Sequence, residues 1–185
     1  MRTFLALELP EEIKMQLSNI TEELRAFHPQ GIKWIEQENI HITLQFIGET
    51  KTQDITDISN FFKKEFSQIS KIMFSSPSLQ IVPGRNPRII WIHLETENKE
   101  IYRISKNIKL YLQKLGYSLD KKPLRFHITL GRIKKRLPDF FIQTVLTKEI
   151  LFSEIEVTEA TFYQSILRPQ GPVYNGITNY IFSKE

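Results

Sequence analysis

The tetrapeptide His-Ile-Thr-Leu occurs twice in this chain of 185 residues, as His41-Ile42-Thr43-Leu44 and as His127-Ile128-Thr129-Leu130. Both copies lie in runs that alternate apolar and polar residues, the period of two that marks a strand buried on one face only. Around the first, Ile40, Ile42, Leu44 and Phe46 take one face and leave His41, Thr43 and Gln45 on the other; around the second, Phe126, Ile128 and Leu130 oppose Arg125, His127 and Thr129. Each strand therefore offers an imidazole and a hydroxyl side by side. Opening a phosphodiester needs one proton taken from the attacking oxygen and another given to the leaving oxygen, on opposite sides of the phosphorus. Two imidazoles with an ordinary pKa of about 6.5 can do both near neutrality. The hydroxyls of Thr43 and Thr129 can donate hydrogen bonds to the non-bridging oxygens, where negative charge builds up.

The elements that must position these residues also repeat. The two histidines are 86 residues apart, and 36 residues before each stands Leu5 or Trp91, inside the apolar runs Thr3 to Leu9 and Arg88 to Leu94. An amphipathic helix follows each run. Ile13, Leu17, Ile20, Leu24 and Phe27 lie along one helical face in the first half, and Ile101, Ile104, Ile108, Leu112 and Leu115 in the second. The helices align as elements and not residue for residue. The expected fold is α+β: duplicated strand-helix-strand units, antiparallel sheets with helices outside.

Short strands are also predicted at Lys33 to Ile35, Lys71 to Phe74, Ser78 to Val82, Glu154 to Val157, Thr161 to Leu167 and Thr178 to Phe182, with a loop at 168–172. A helix carries Ile55, Ile58, Phe62 and Phe66, and a shorter one follows Pro138. Pro29 and Gly31 are expected to end the first long helix, and Gly116 the helix of the second half. Pro83-Gly84-Arg85-Asn86-Pro87 is a dense turn signal that divides one bilobal domain, 1–185, into halves of about 1–83 and 88–185.

Composition narrows the classes. With 41% hydrophobic residues and 13 phenylalanines the chain is globular and long enough to bury a core. It has no apolar run of about 18 residues and no signal-peptide pattern, so a cytoplasmic chain without a membrane partner is expected. Zero cysteines exclude disulfides, thiolate nucleophiles and cysteine-based zinc sites. The net charge of +4 favours an anionic partner. Neither motif has a third ligand nearby, as a metal site would need, so no metal or cofactor is expected. No serine sits in a glycine-flanked strand-to-helix turn, and no phosphate-binding glycine loop is present. A lone outward histidine is most often an ordinary surface residue, and His28 and His93 are read that way. The same Thr two residues after the histidine in both repeats sets His41 and His127 apart. The basic run Arg132 to Arg136 reads as a solvated stretch that the neighbouring histidine turns toward an anion.

These residues resemble the 2H phosphoesterases, named for two His-x-Thr motifs, and among them the bacterial and archaeal RNA 2′,3′-cyclic phosphodiesterases once called 2′-5′ RNA ligases. Besides the motifs, the resemblance takes in Arg2-Thr3-Phe4 with Leu9-Pro10, Trp34 to Gly48, Pro87 to Trp91, Gly131-Arg132, and Ser165 to Pro169 with Gly171 to Tyr174. It implies two pseudo-symmetric lobes with the motifs lining a central cleft, and metal-independent hydrolysis of a 2′,3′-cyclic phosphate at an RNA 3′ end to a 2′-phosphate. It further implies His41 as proton donor to the leaving 3′ oxygen, His127 as proton acceptor from water, and Thr43 and Thr129 as phosphate holders. Arg132, five residues after the second histidine, and its counterpart Phe46 are implied to bind substrate. Strict alternation would bury both, so each needs a bulge or a strand end. Phe126 stands where many relatives have Pro. Two other readings are a phosphodiesterase on a small cyclic nucleotide or ADP-ribose cyclic phosphate, and a non-catalytic RNA-end binding module. The reverse, ligation-type reaction is thermodynamically permitted, and nothing requires more than a monomer.

Overall fold

The structure is a computed structural model that describes residues 1–27, 30–83, 85–169 and 171–183; the expectations at His28, Pro29, Gly84 and Gln170 lie outside the described residues. In chain order the elements are β1 (Arg2–Leu7), α1 (Glu11–Phe27), β2 (Ile32–Trp34), β3 (Ile42–Glu49), α2 (Ile55–Phe66), β4 (Ile72–Val82) and β5 (Ile89–Glu95). There follow α3 (Lys99–Lys114), β6 (His127–Ile133), α4 (Asp139–Leu146), β7 (Glu154–Val157), β8 (Glu159–Arg168) and β9 (Gly171–Ile181). No described helix is long and apolar enough to cross a membrane.

The strands form one antiparallel sheet in the order β7-β4-β5-β6-β3-β1-β8-β9, with β2 added along β6. The order is symmetric about its centre: β6 and β3 carry the two motifs, β5 and β1 flank them, and two further strands complete each wing. The wings are α+β units that trade strands. β4, from the first half of the chain, joins the wing of β5 and β6, while β8 and β9 pair onto β1. β4 and β5 form a hairpin in which Val82 pairs with Ile89.

Local chemistry explains the elements. Asn98 caps α3 by accepting from the Ile101 amide at 3.0 Å. At the other end Gly116 takes a φ of +89°, and the Gly116 and Tyr117 amides bond the Gln113 and Leu112 carbonyls, a paired closure that a left-handed residue makes possible. The apolar faces of α1, α2 and α3 join Ile42, Leu44, Ile90, Ile92, Ile128 and Leu130 in one core. Phe27, placed by its spacing on the buried face of α1, is 62% exposed, because it sits in the last turn with Phe140 as its aromatic neighbour.

Two strand expectations change. The runs 71–74 and 78–82 are one strand, bent at a register shift between Ser75 and Ser78 where Ser76 has a φ of +52°. The last strand begins at Gly171, seven residues before the alternation appears, because Pro172 and Gly176 interrupt the pattern. Pro172 is tolerated since β9 is the sheet's edge.

Candidate active site

β3 and β6 meet at one backbone pair, Ile42 opposite Ile128. In an antiparallel ladder this sets His41 beside Thr129 and Thr43 beside His127. The two histidines are then diagonal neighbours, a relation that places side chains about 7–8 Å apart, enough for two rings to flank one phosphorus. Ile42 and Ile128 point into the core and are fully buried, so the four polar side chains face the opposite side.

The fourth residue of each motif is a bulge. Ala6 pairs with Thr43 but Leu5 with Gln45, passing over Leu44; Trp91 pairs with Thr129 but Ile90 with Gly131, passing over Leu130. Each extra residue reverses the alternation. Phe46 then pairs with Phe4, and Arg132 with Ile89, on the histidine face. Phe46 is 56% exposed there, and Leu44 and Leu130 stay in the core. The same bulges shift the repeat: Thr129 is paired with Trp91, and Thr43 with Ala6, one residue beyond the Leu5 that counting reaches.

Both imidazoles are held alike. His41 Nδ1 lies 2.8 Å from the Asn39 carbonyl and His127 Nδ1 2.9 Å from the Arg125 carbonyl. A carbonyl only accepts, so each Nδ1 carries the proton and each neutral ring keeps a bare Nε2. His41 Nε2 accepts from the Thr43 hydroxyl at 3.0 Å. Burial pulls His41 from 6.5 down to about 4, against the opposing hydrogen bond to Asn39, with Lys14, His127 and Arg132 adding repulsion. His127 is lowered for the same first reason, opposed by its bond to Arg125 and assisted by the charges of His93 and Arg132.

Several neighbours had no role assigned to them from the sequence. Each histidine packs on an aromatic ring from the next strand, His127 on Trp91 with centroids 4.3 Å apart and His41 on Phe4 at 5.1 Å. Trp91 is held by donating Nε1–H to Gln80. Tyr163 stacks on Phe4, and Tyr174 meets both Phe4 and His41 edge-on. Those tyrosines arrive through β8 and β9, more than a hundred residues away in sequence, where no local pattern could announce them. Under the same wing the buried pair Glu8 and Lys14 lies at 3.5 Å, and Tyr163 donates to Glu8 at 2.8 Å. His93, read as an ordinary strand residue, pairs directly with His127 across β5 and β6. Among the described residues no three histidine, aspartate or glutamate side chains converge as a metal site would require.

Two central strands each bring a histidine and a threonine to one face, and the strand order repeats about their junction. Comparison with known proteins agrees. A family model described as LigT like phosphoesterase matches residues 7–91 and again 92–174. An RNA 2′,3′-cyclic phosphodiesterase of Archaeoglobus fulgidus is 33% identical over 177 residues, covering 96% of this chain and 98% of its own. Another of the same name, from Thermotoga maritima, is 33% identical over 94% of this chain and 91% of its own. The crystal structure of TT0787 of Thermus thermophilus superposes over the full length of both chains with a TM-score of 0.85 at 25% identity. This chain belongs to the LigT-like phosphoesterase family.

Proposed function

We propose that the protein hydrolyses 2′,3′-cyclic phosphate at the 3′ ends of RNA, leaving a 2′-phosphate. The observation that carries this reading is the quartet of His41, Thr43, His127 and Thr129 at the β3–β6 junction, in a chain related over nearly its whole length to proteins that bear that name. Water attacks the phosphorus from the His127 side, and His127 Nε2 takes its proton. The P–O3′ bond breaks on the other side as His41, in its charged form, gives a proton to O3′. Each such role is worth about a hundred- to ten-thousandfold in rate. Thr43 and Thr129 donate to the non-bridging oxygens, and each such donor contributes about a hundred- to thousandfold. Arg132 pairs with the phosphate charge and Phe46 offers an exposed ring for the terminal nucleoside. One turnover leaves His127 protonated and His41 bare, and exchange with solvent resets both.

The reaction as written draws only on the protein's own side chains. An oligonucleotide ending in a 2′,3′-cyclic phosphate, incubated with excess EDTA, should be opened by the wild type. His41→Ala and His127→Ala should each lower the rate by at least about a hundredfold. Full activity in either variant contradicts the assignment.

A further inference from the structure

His127 and Thr43 line a cavity of about 680 Å³ together with Phe46 and Trp91. That volume exceeds what a single phosphate and its ribose fill. Tyr102, Ser105, Lys106 and Lys109, at helical spacing on α3, also line it, as do Lys121, Lys122 and Arg125 from the segment before β6. Five basic side chains line the cavity against one acid, Asp120.

A lysine-rich helix face is by default only a solvated face, and the rest of α3 fits that reading, since Arg103 is turned to Glu65 at 3.9 Å. The groove lysines differ. Lys109 donates to the Asp120 carbonyl and Lys122 pairs with the Asp120 carboxylate at 3.5 Å, so both are drawn onto the groove wall. Lys106, Lys121 and Arg125 are exposed and form no ion pair among the described residues, although Asp120 adjoins Lys121, and Glu95 and Glu97 line a second cavity that Arg125 shares. A positive channel with aromatic rings along it is what an unpaired nucleic-acid strand requires, phosphates against the cations and bases against the rings.

We infer that this groove is a track for the nucleotides preceding the cyclic phosphate, so that the enzyme acts on single-stranded chains in preference to cyclic mononucleotides. The inference rests on the RNA-end reading above and adds to it a length-dependent binding site outside the reacting residues.

The test compares an oligonucleotide ending in a 2′,3′-cyclic phosphate with a 2′,3′-cyclic mononucleotide, using wild type, Lys106→Ala/Lys121→Ala and Lys106→Arg/Lys121→Arg. For the oligonucleotide, wild-type kcat/KM should exceed that for the mononucleotide by at least about tenfold at low salt, and should fall as salt rises. The alanine pair should remove most of that advantage and reduce the slope of log kcat/KM against log salt by about 1.4, as expected for two lost phosphate contacts. The arginine pair should restore both, and mononucleotide turnover should stay constant throughout. Binding of an oligonucleotide ending in a 2′-phosphate, followed by fluorescence anisotropy, separates the two readings. Wild type that turns over neither substrate, yet binds this oligonucleotide through the two lysines, sinks the hydrolase reading and leaves the groove. Turnover of both substrates with the same preference and salt slope in the alanine pair sinks the groove and leaves the hydrolase.

Discussion

At the scale of single residues the two histidines share a backbone-fixed tautomer and differ in burial. Because burial opposes charge on both rings, the free protein holds them bare at neutral pH, His41 most strongly, with its pKa at about 4. In the proposed reaction His127 must be bare to accept a proton, and its lowered pKa extends that form to the acid side of 6.5. His41 must be charged to donate one, and in the free protein that form is lost as pH rises past about 4. The profile of kcat/KM, which reports the free enzyme, should therefore peak on the acid side of 6.5 and decline toward alkaline pH. A cyclic phosphate seated between the rings carries a negative charge that favours the imidazolium, so the kcat profile should peak at higher pH than that of kcat/KM. Superposable profiles, or a kcat/KM optimum above about 7, contradict this account. That these residues share one face at one junction was legible from the repeated motif alone. Their unequal burial was not, because it comes from Phe4, Tyr163 and Tyr174, rings supplied by three different strands.

At the scale of elements, each motif strand is a strand with a flaw in the same place. Alternation told which residues face the core as far as Leu44 and Leu130, and no further, since a bulge leaves no mark in a hydrophobic pattern. Only the requirement that Arg132 and Phe46 reach the histidine face pointed to one. β2 braces the second bulge, with Trp34 paired to Gly131. A Cβ on Gly131 would lie 2.8 Å from Ile32 and 2.9 Å from Trp34, two side chains that cannot swing away from a paired strand. Gly131→Ala should accordingly destabilise the protein by about 1–3 kcal/mol, measured by urea unfolding. It should also raise KM, because Arg132 follows directly on the displaced residue. A variant with wild-type stability and KM would show that β2 yields freely. Pro172 and Gly176 concealed most of β9 for a related reason: an edge strand tolerates residues that a central one rejects.

At the scale of the whole molecule, duplication was readable in the sequence and the exchange of strands was not. Pairings such as Leu5 with Phe162 join residues so far apart that only the folded sheet reveals them. Residues 1–83 expressed alone hold β1 and β3 without β8, and β4 without β5 or β7. Neither this fragment nor 88–185 should fold, as seen by circular dichroism and by amide dispersion in NMR spectra, whereas the intact chain should unfold in one transition by either probe. An independently folded half would mean that the wings are separable. The exchange also has a consequence for the order in which the chain is made. β1 leaves the ribosome ahead of every other strand of this sheet, but its partner β8 is not synthesised until residue 159, with most of the fold in between. An entirely apolar run, Phe4-Leu5-Ala6-Leu7, must therefore wait through most of translation with one side uncovered. The strand born earliest is among the last to be sheltered, and the nascent protein depends on whatever keeps it from sticking in the meantime.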